Sequence, residues 1–119
     1  MNGEGFSRQE VRWSGAEKKI ARSAFDKAYQ NQCATILAKA TKMLAAASVP
    51  RDLWKVYDYL SVQRRATDKT YDYRYSVLLS VFAALIEENW LNVTDLAGLQ
   101  ESKIEKIEAW VKFRRDDRG

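Results

Sequence analysis

The sequence contains no histidine, one cysteine and one proline in 119 residues. Without histidine the chain lacks the commonest general base and the commonest metal ligand. A lone Cys33 excludes an internal disulfide, leaves zinc and iron–sulfur sites without their usual ligands, and fits a reducing compartment. Its ordinary role is that of a small buried apolar residue. Missing too are a Walker loop, a dinucleotide fingerprint and a GxSxG elbow. The carboxylates Asp58, Asp68, Asp72, Glu87 and Glu88 show no pairing that the sequence makes convincing for acid and base work. The expectation is a protein that is not an enzyme, holds no cofactor or metal, and binds something. No N-terminal basic segment precedes an apolar run, and no stretch is long enough to span a bilayer, so a soluble cytoplasmic protein without membrane insertion is expected.

What is present is globular in balance: 46% hydrophobic and 30% charged residues, a length suited to one domain. A chain this small leaves much of its surface exposed, so part of its stability can come from a second copy. The net charge of +4 is a mild basic excess that suits an acidic partner but is not by itself a nucleic-acid signature. Lys112, Arg114, Arg115 and Arg118 gather at one end, where a helix C-terminus favours positive charge.

Residues 1–12 carry two glycines and no sustained periodicity and read as a frayed tail. Ser14 and Glu17 in "SGAE" form a capping box, and the alanine-rich run to Ala47 has no proline and only Gly15, which predicts one long helix. At 1.5 Å per residue it would reach roughly 50 Å. A compact domain of this size has a radius of gyration of about 13 to 14 Å, so the helix must break, protrude or pack on another chain. Phe25, Ala28, Ile36, Leu37, Met43 and Leu44 offer it a stripe suited either to close approach of a second helix or to an intrachain core. Pro50 opens a second helix ending at Arg64 and Arg65, with Leu53, Val56 and Leu60 as its buried stripe and Trp54 and Asp58 on an offset face.

In "TYDYRYSVLLSVF", Tyr71, Tyr73 and Tyr75 alternate with a period of two, but Val77, Leu78, Val81, Phe82, Leu85 and Ile86 recur at helical spacing. The stretch reads as the start of a third helix, capped by Asp68 or Thr70 after a break at "ATDKT", with Tyr71 and Tyr75 on its stripe and Tyr73 pointing elsewhere. Asn89 is placed to end that helix in a left-handed conformation. Thr94 can cap a short helix, and Ser102 with Glu105 a last one, with Ile104, Ile107 and Val111 inward. The fold class expected is all-α: a long N-terminal helix and a second helix making a dimeric stem, and a small head of about three shorter helices.

"LWKVYDYLSVQRR" followed by "DKTYDYRYSVLLSVFAALIEENWL" resembles the fluorescence recovery protein family of cyanobacteria. The likeness begins near "WSGAE" and "FDKAY", covers Trp13 to about Trp110, and is most specific between Leu53 and Leu91. The resemblance implies an all-α homodimer that binds the C-terminal domain of photoactivated orange carotenoid protein. It further implies that the protein speeds the return to the orange form and the release from phycobilisomes, without cofactor or covalent chemistry. It places Leu53 in the dimer interface, and the stripe neighbours Val56 and Leu60 are expected there with it. Trp54, Asp58 and Arg64 match a functional patch on the stem, and Lys106 a partner-contacting position of the head. Departures fall at four places. Tyr57 stands where the family commonly has histidine, Ala66 and Thr67 replace a His-Glu pair, Ser80 replaces a head phenylalanine tied to activity, and Asn89 replaces a glycine. Tyr57 and Ser80 are therefore candidate partner-binding positions of altered type.

The expected organisation is a single domain over 13–113, with stem 13–65 and head 68–113, and a charged tail over 114–119. Two other readings stand beside the first. One keeps the dimeric helical fold as an interaction module for an unrelated partner. The other takes "DLAGLQESKIEKI" as a helix-hairpin-helix fragment binding nucleic acid, although only Gly98 is present of two expected hairpin glycines and Glu101, Glu105 and Glu108 would repel phosphate.

Overall fold

The computed structural model describes residues 12–118, so the tail expected over residues 1–12 lies outside the described residues except for Arg12. The elements are α1 (Gly15–Ala46), α2 (Pro50–Thr70), α3 (Leu78–Glu87), a single 3-10 turn (Val93–Leu96) and α4 (Glu101–Arg118). No strand occurs among the described residues beyond an isolated bridge between Ala97 and Leu99. The Ser14–Glu17 capping box forms as expected, and α1 then runs unbroken for 32 residues. It neither kinks nor folds back, so the molecule extends over 64 × 26 × 26 Å with a radius of gyration of 18.0 Å. Pro50 occupies the first turn of α2, where its missing N–H costs nothing, and the Asp52 carboxylate accepts the N–H groups of Ser48 and Val49.

The core lies at one end. Ala21, Ala24, Phe25 and Ala28 of α1 meet Leu78, Val81, Phe82 and Leu85 of α3, Leu91, Leu96 and Leu99 of the connection, and Ile107 and Val111 of α4. The first half of α1 therefore belongs to the head, while its second half and α2 form a projecting antiparallel hairpin. The apolar stripe read along α1 is divided accordingly. Phe25 and Ala28 are buried in the head, Ile36 and Met43 are half-buried, and Leu37 and Leu44 are exposed.

Five helix boundaries differ from the sequence expectation. "ATDKT" does not break α2 but forms its last turn: Arg64 bonds Asp68 and the Thr67 hydroxyl donates to the Gln63 carbonyl, so neither Asp68 nor Thr70 caps a new helix. Residues 71–77 are not helical. Their period of two is the true signal, because a non-helical backbone sends all three tyrosine rings to one side. Tyr71 and Tyr73 reach Phe25 with ring centroids 5.3 and 4.7 Å away, and Tyr75 reaches Trp13 at 5.5 Å. A helix would have turned Tyr73 away from this contact, as the sequence reading expected. Finally, Glu101 already lies within α4, so Ser102 is not its cap, and Asn92 rather than Thr94 precedes the 3-10 turn. The helix continues through Arg118, which makes residues 114–118 helical where a charged tail was expected.

Asn89 does end α3 in the left-handed region, at φ 69°, with the Trp90 N–H on the Leu85 carbonyl and the Asn89 N–H on that of Ile86. Gly98 is the second such position, at φ 106°, and it sits against α1: an added Cβ would lie 2.5 Å from Ile20 Cδ1. The close approach that Gly98 permits is thus to a helix of its own chain, which accounts for the glycine without a phosphate. Gly98→Ala should combine backbone strain with overpacking and destabilise the head by about 1–3 kcal/mol. A chemical-denaturation midpoint unchanged in this variant would contradict the packing described.

A buried ion pair closes the head onto the start of α1. Lys103 Nζ lies 3.0 Å from both Glu17 carboxylate oxygens and also donates to the Arg12 carbonyl, while the Gln100 N–H donates to Glu17 at 2.8 Å. Glu17 therefore serves two helices at once, capping α1 through the Ser14 N–H and receiving the chain just before α4. A second tie runs from Lys27 on α1 to Asp95 in the 3-10 turn, at 2.6 Å.

Candidate interaction surface

α2 turns Val56 and Thr67 to α1, and both are buried. Asp52, Tyr59, Ser61, Gln63 and Thr70 are half-buried, and the other positions of α2 are exposed. Of the three residues expected to form its buried stripe, only Val56 is buried within one chain. Leu53 and Leu60 lie further round the helix and are 49% and 42% exposed. They are seven residues apart, as are Leu37 and Leu44 on α1, which are also exposed. In an antiparallel hairpin bending at residues 47–49, Leu44 stands level with Leu53 and Leu37 with Leu60. Tyr29 of α1 and Asp68 of α2 line one cavity, which sets the Leu60–Arg64 flank of α2 beside the Tyr29 side of α1. On the opposite flank, Lys39 stands over the Tyr59 ring at 4.9 Å. Four leucines thus form one apolar face on the hairpin.

Trp54 and Tyr57 stand near the hairpin tip, 60% and 63% exposed, with their rings edge to face at 6.5 Å. Asp58, one turn after Trp54, is exposed beside them. A tryptophan in water with an aromatic and a carboxylate alongside has the composition of a binding hot spot rather than of a solvated salt-bridged face. Arg64 is ten residues beyond Trp54, about 15 Å along the helix, and is also exposed, holding Asp68 at 3.1 Å. The structure therefore brings Trp54, Tyr57 and Asp58 into one cluster and leaves Arg64 further along the stem. Ser80 and Lys106 lie in the head, well apart from that cluster. Both are exposed; the Ser80 hydroxyl turns back to donate to the Val77 carbonyl at 2.7 Å, so nothing projects from that position.

The sequence reading did not anticipate two further exposed aromatics, Trp110 and Phe113 on α4. Their helical spacing with Lys106 carries the signal, since 106, 110 and 113 share one face, away from the inward Ile107 and Val111. Among the described residues no group of three or more His, Cys, Asp and Glu could hold a metal ion, and no helix is long and apolar enough to cross a membrane.

A small helical head on a long hairpin, with its aromatic and leucine side chains turned outward, is the build of a protein that works through its surface, as regulatory interaction proteins do. Sequence comparison makes the class particular: the profile of the family described as photoprotection regulator fluorescence recovery protein matches residues 13–111, and the chain belongs to that family. The fluorescence recovery protein of Synechocystis sp. is 38% identical over 104 residues, covering 87% of this chain and 95% of that protein. The solved structure of the Fremyella diplosiphon fluorescence recovery protein superposes with a TM-score of 0.80 at 36% identity, over 85% of this chain and 99% of that one. That of the Synechocystis protein gives 0.80 at 37% identity over the same shares.

Proposed function

We propose that this protein is a non-enzymatic, cytoplasmic regulator of photoprotection. It binds photoactivated orange carotenoid protein through that protein's C-terminal domain, accelerates its return to the inactive orange form, and promotes its release from phycobilisomes. The observation that carries the reading is the solvent-exposed Trp54–Tyr57–Asp58 cluster on a stem of this family. Trp54 is the apolar anchor, Tyr57 extends it, Asp58 and Arg64 supply complementary charge along the stem, and Lys106 with the position of Ser80 forms a second contact in the head. The four-leucine face supports a homodimer, in which Leu53 and Leu60 are covered by a second copy while Val56 reinforces the hairpin behind them.

The activity follows from differential binding. A catalyst of a conformational return must hold the transition state for domain reassociation more tightly than the open form it first grips. A rigid stem and a separate head offer two contacts with fixed spacing, which suits bringing two domains together. Trp54→Ala is expected to weaken binding to the photoactivated partner by about 2 kcal/mol or more, roughly thirtyfold, with the helical content unchanged. Co-elution with illuminated and with dark-adapted orange carotenoid protein tests this. Preference for the illuminated form that Trp54→Ala loses supports the reading, and equal elution with and without Trp54 opposes it.

One observation favours a second reading, in which the dimer serves an unrelated partner. At Ser80 the head presents only a hydroxyl already bonded to the Val77 carbonyl just before its helix, so an aromatic anchor there is gone. Absence of binding to orange carotenoid proteins from several lineages, by a well-folded dimer, is the result this alternative expects.

A further inference from the structure

Aromatic rings run in a continuous ladder along the first half of α1. Trp13 meets Tyr75 at 5.5 Å, Tyr75 meets Tyr73 at 5.6 Å, Tyr73 meets Phe25 at 4.7 Å, Phe25 meets Tyr71 at 5.3 Å, and Tyr71 meets Tyr29 at 5.1 Å. Most rungs have a cation over the ring from within the chain. Lys103 stands 4.9 Å from Trp13, Lys18 5.4 Å from Tyr75, and Arg22 3.8 Å from Tyr73 and 5.6 Å from Phe25. The ring quadrupole rewards each placement. At the far end the pattern stops: among the described residues no cation stands over Tyr71 or Tyr29.

That end is where the surface opens. A cavity of about 400 Å3 is lined by Phe25, Tyr29 and Tyr71 together with Asp26, Thr67 and Asp68. Three aromatic rings and two carboxylates are the chemistry that receives an organic cation, and the cavity is large enough for a side chain. Tyr71 is fixed in place by its hydroxyl bond to Gln32 Oε1 at 2.9 Å, so one wall is preorganised. Among the described residues the carboxylates are engaged by exposed partners, Asp26 by Arg22 at 3.4 Å and Asp68 by Arg64 at 3.1 Å. Pairs of this kind are weak and readily exchanged.

We propose that this cavity receives an arginine side chain from a protein partner, its guanidinium lying against the edge-to-face Tyr29–Tyr71 pair, stacked on one ring face, and bonded to Asp68 and Asp26. Arginine fits better than lysine because a planar guanidinium stacks on rings and bonds a carboxylate through two parallel N–H groups. The incoming arginine completes a ladder that the chain fills with its own cations everywhere else. Engagement of Asp68 also frees Arg64, so one partner arginine exposes a guanidinium on the stem for a carboxylate of the same partner. The inference stands apart from the identity of the partner proposed above, and failure of that reading leaves it intact.

The test uses the full chain, with tyrosine rings isotopically labelled, titrated with Nα-acetyl-arginine amide and, separately, with the uncharged isostere Nα-acetyl-citrulline amide. The expected result is a saturable shift of the Tyr29 and Tyr71 ring signals by the arginine compound only. Asp68→Asn and Tyr29→Ala, both at exposed positions, should weaken that affinity severalfold while leaving the remaining tyrosine signals in place. No saturable shift, or equal shifts by the citrulline compound, overturns the proposal. Shifts that survive both substitutions overturn it as well.

Discussion

Lys103→Met is expected to lower the unfolding free energy by about 3–5 kcal/mol, the usual cost of leaving one partner of a buried ion pair alone. The total for a domain of this kind is about 5–15 kcal/mol, so the loss is a large fraction of it. Glu17 would retain the N–H groups of Ser14 and Gln100 but would keep its charge away from water without a cation. Urea unfolding followed by circular dichroism measures the effect, and a change below about 1 kcal/mol would mean that the pair is dispensable. Acid should erase the difference. Burial alone raises the Glu17 pKa, but the N–H groups of Ser14 and Gln100 and the Lys103 ammonium outweigh it and lower the value from 4.5 to about 2. A carboxyl depressed in the folded state contributes stability that is complete above its ordinary value and is lost as the pH falls through the folded one. The native protein should therefore lose this contribution between pH 4.5 and about 2, and the gap to Lys103→Met should narrow over the same range.

Leu53→Glu is expected to convert the proposed dimer to monomer without unfolding the chain. Leu53 is half-exposed in one chain, so a glutamate there is solvated in the monomer and becomes a buried, unpaired charge only in the dimer. Val56→Glu should behave differently, since Val56 is 4% exposed within the chain itself and its replacement should disrupt the hairpin. Light scattering should give the 13.7 kDa mass of a single chain for Leu53→Glu, with a helical spectrum close to native. A dimer that survives both Leu53→Glu and Leu60→Glu would place the interface away from the leucine face.

Much of this architecture can be read from the sequence where local rules act alone. The Ser14–Glu17 box, Pro50 and Asn89 each meet a backbone requirement of their own element, and each appears as expected. Reading fails where a distant segment decides. Tyr73 goes to Phe25, some fifty residues away in the chain, and that contact overrides the helical spacing that begins at Val77. Ser102 yields its capping place because α4 begins beside the Glu17 carboxylate, which no local pattern encodes. The exposure of Trp54 and Asp58 could be read from the sequence, since they lie on a face offset from the apolar stripe of α2, whereas Tyr57 entered only through the family resemblance. The split of Leu53, Val56 and Leu60 between intrachain and open faces could not be read, since it depends on how α2 is rotated against α1.

The most direct test of the regulatory account is the dark recovery of photoactivated orange carotenoid protein, followed by absorbance at fixed temperature with and without this protein. Faster return to the orange form, lost in Trp54→Ala and in Arg64→Ala while both variants remain helical dimers, is the predicted result. An unchanged recovery rate in the presence of a folded dimer, with orange carotenoid proteins from several lineages, would contradict it.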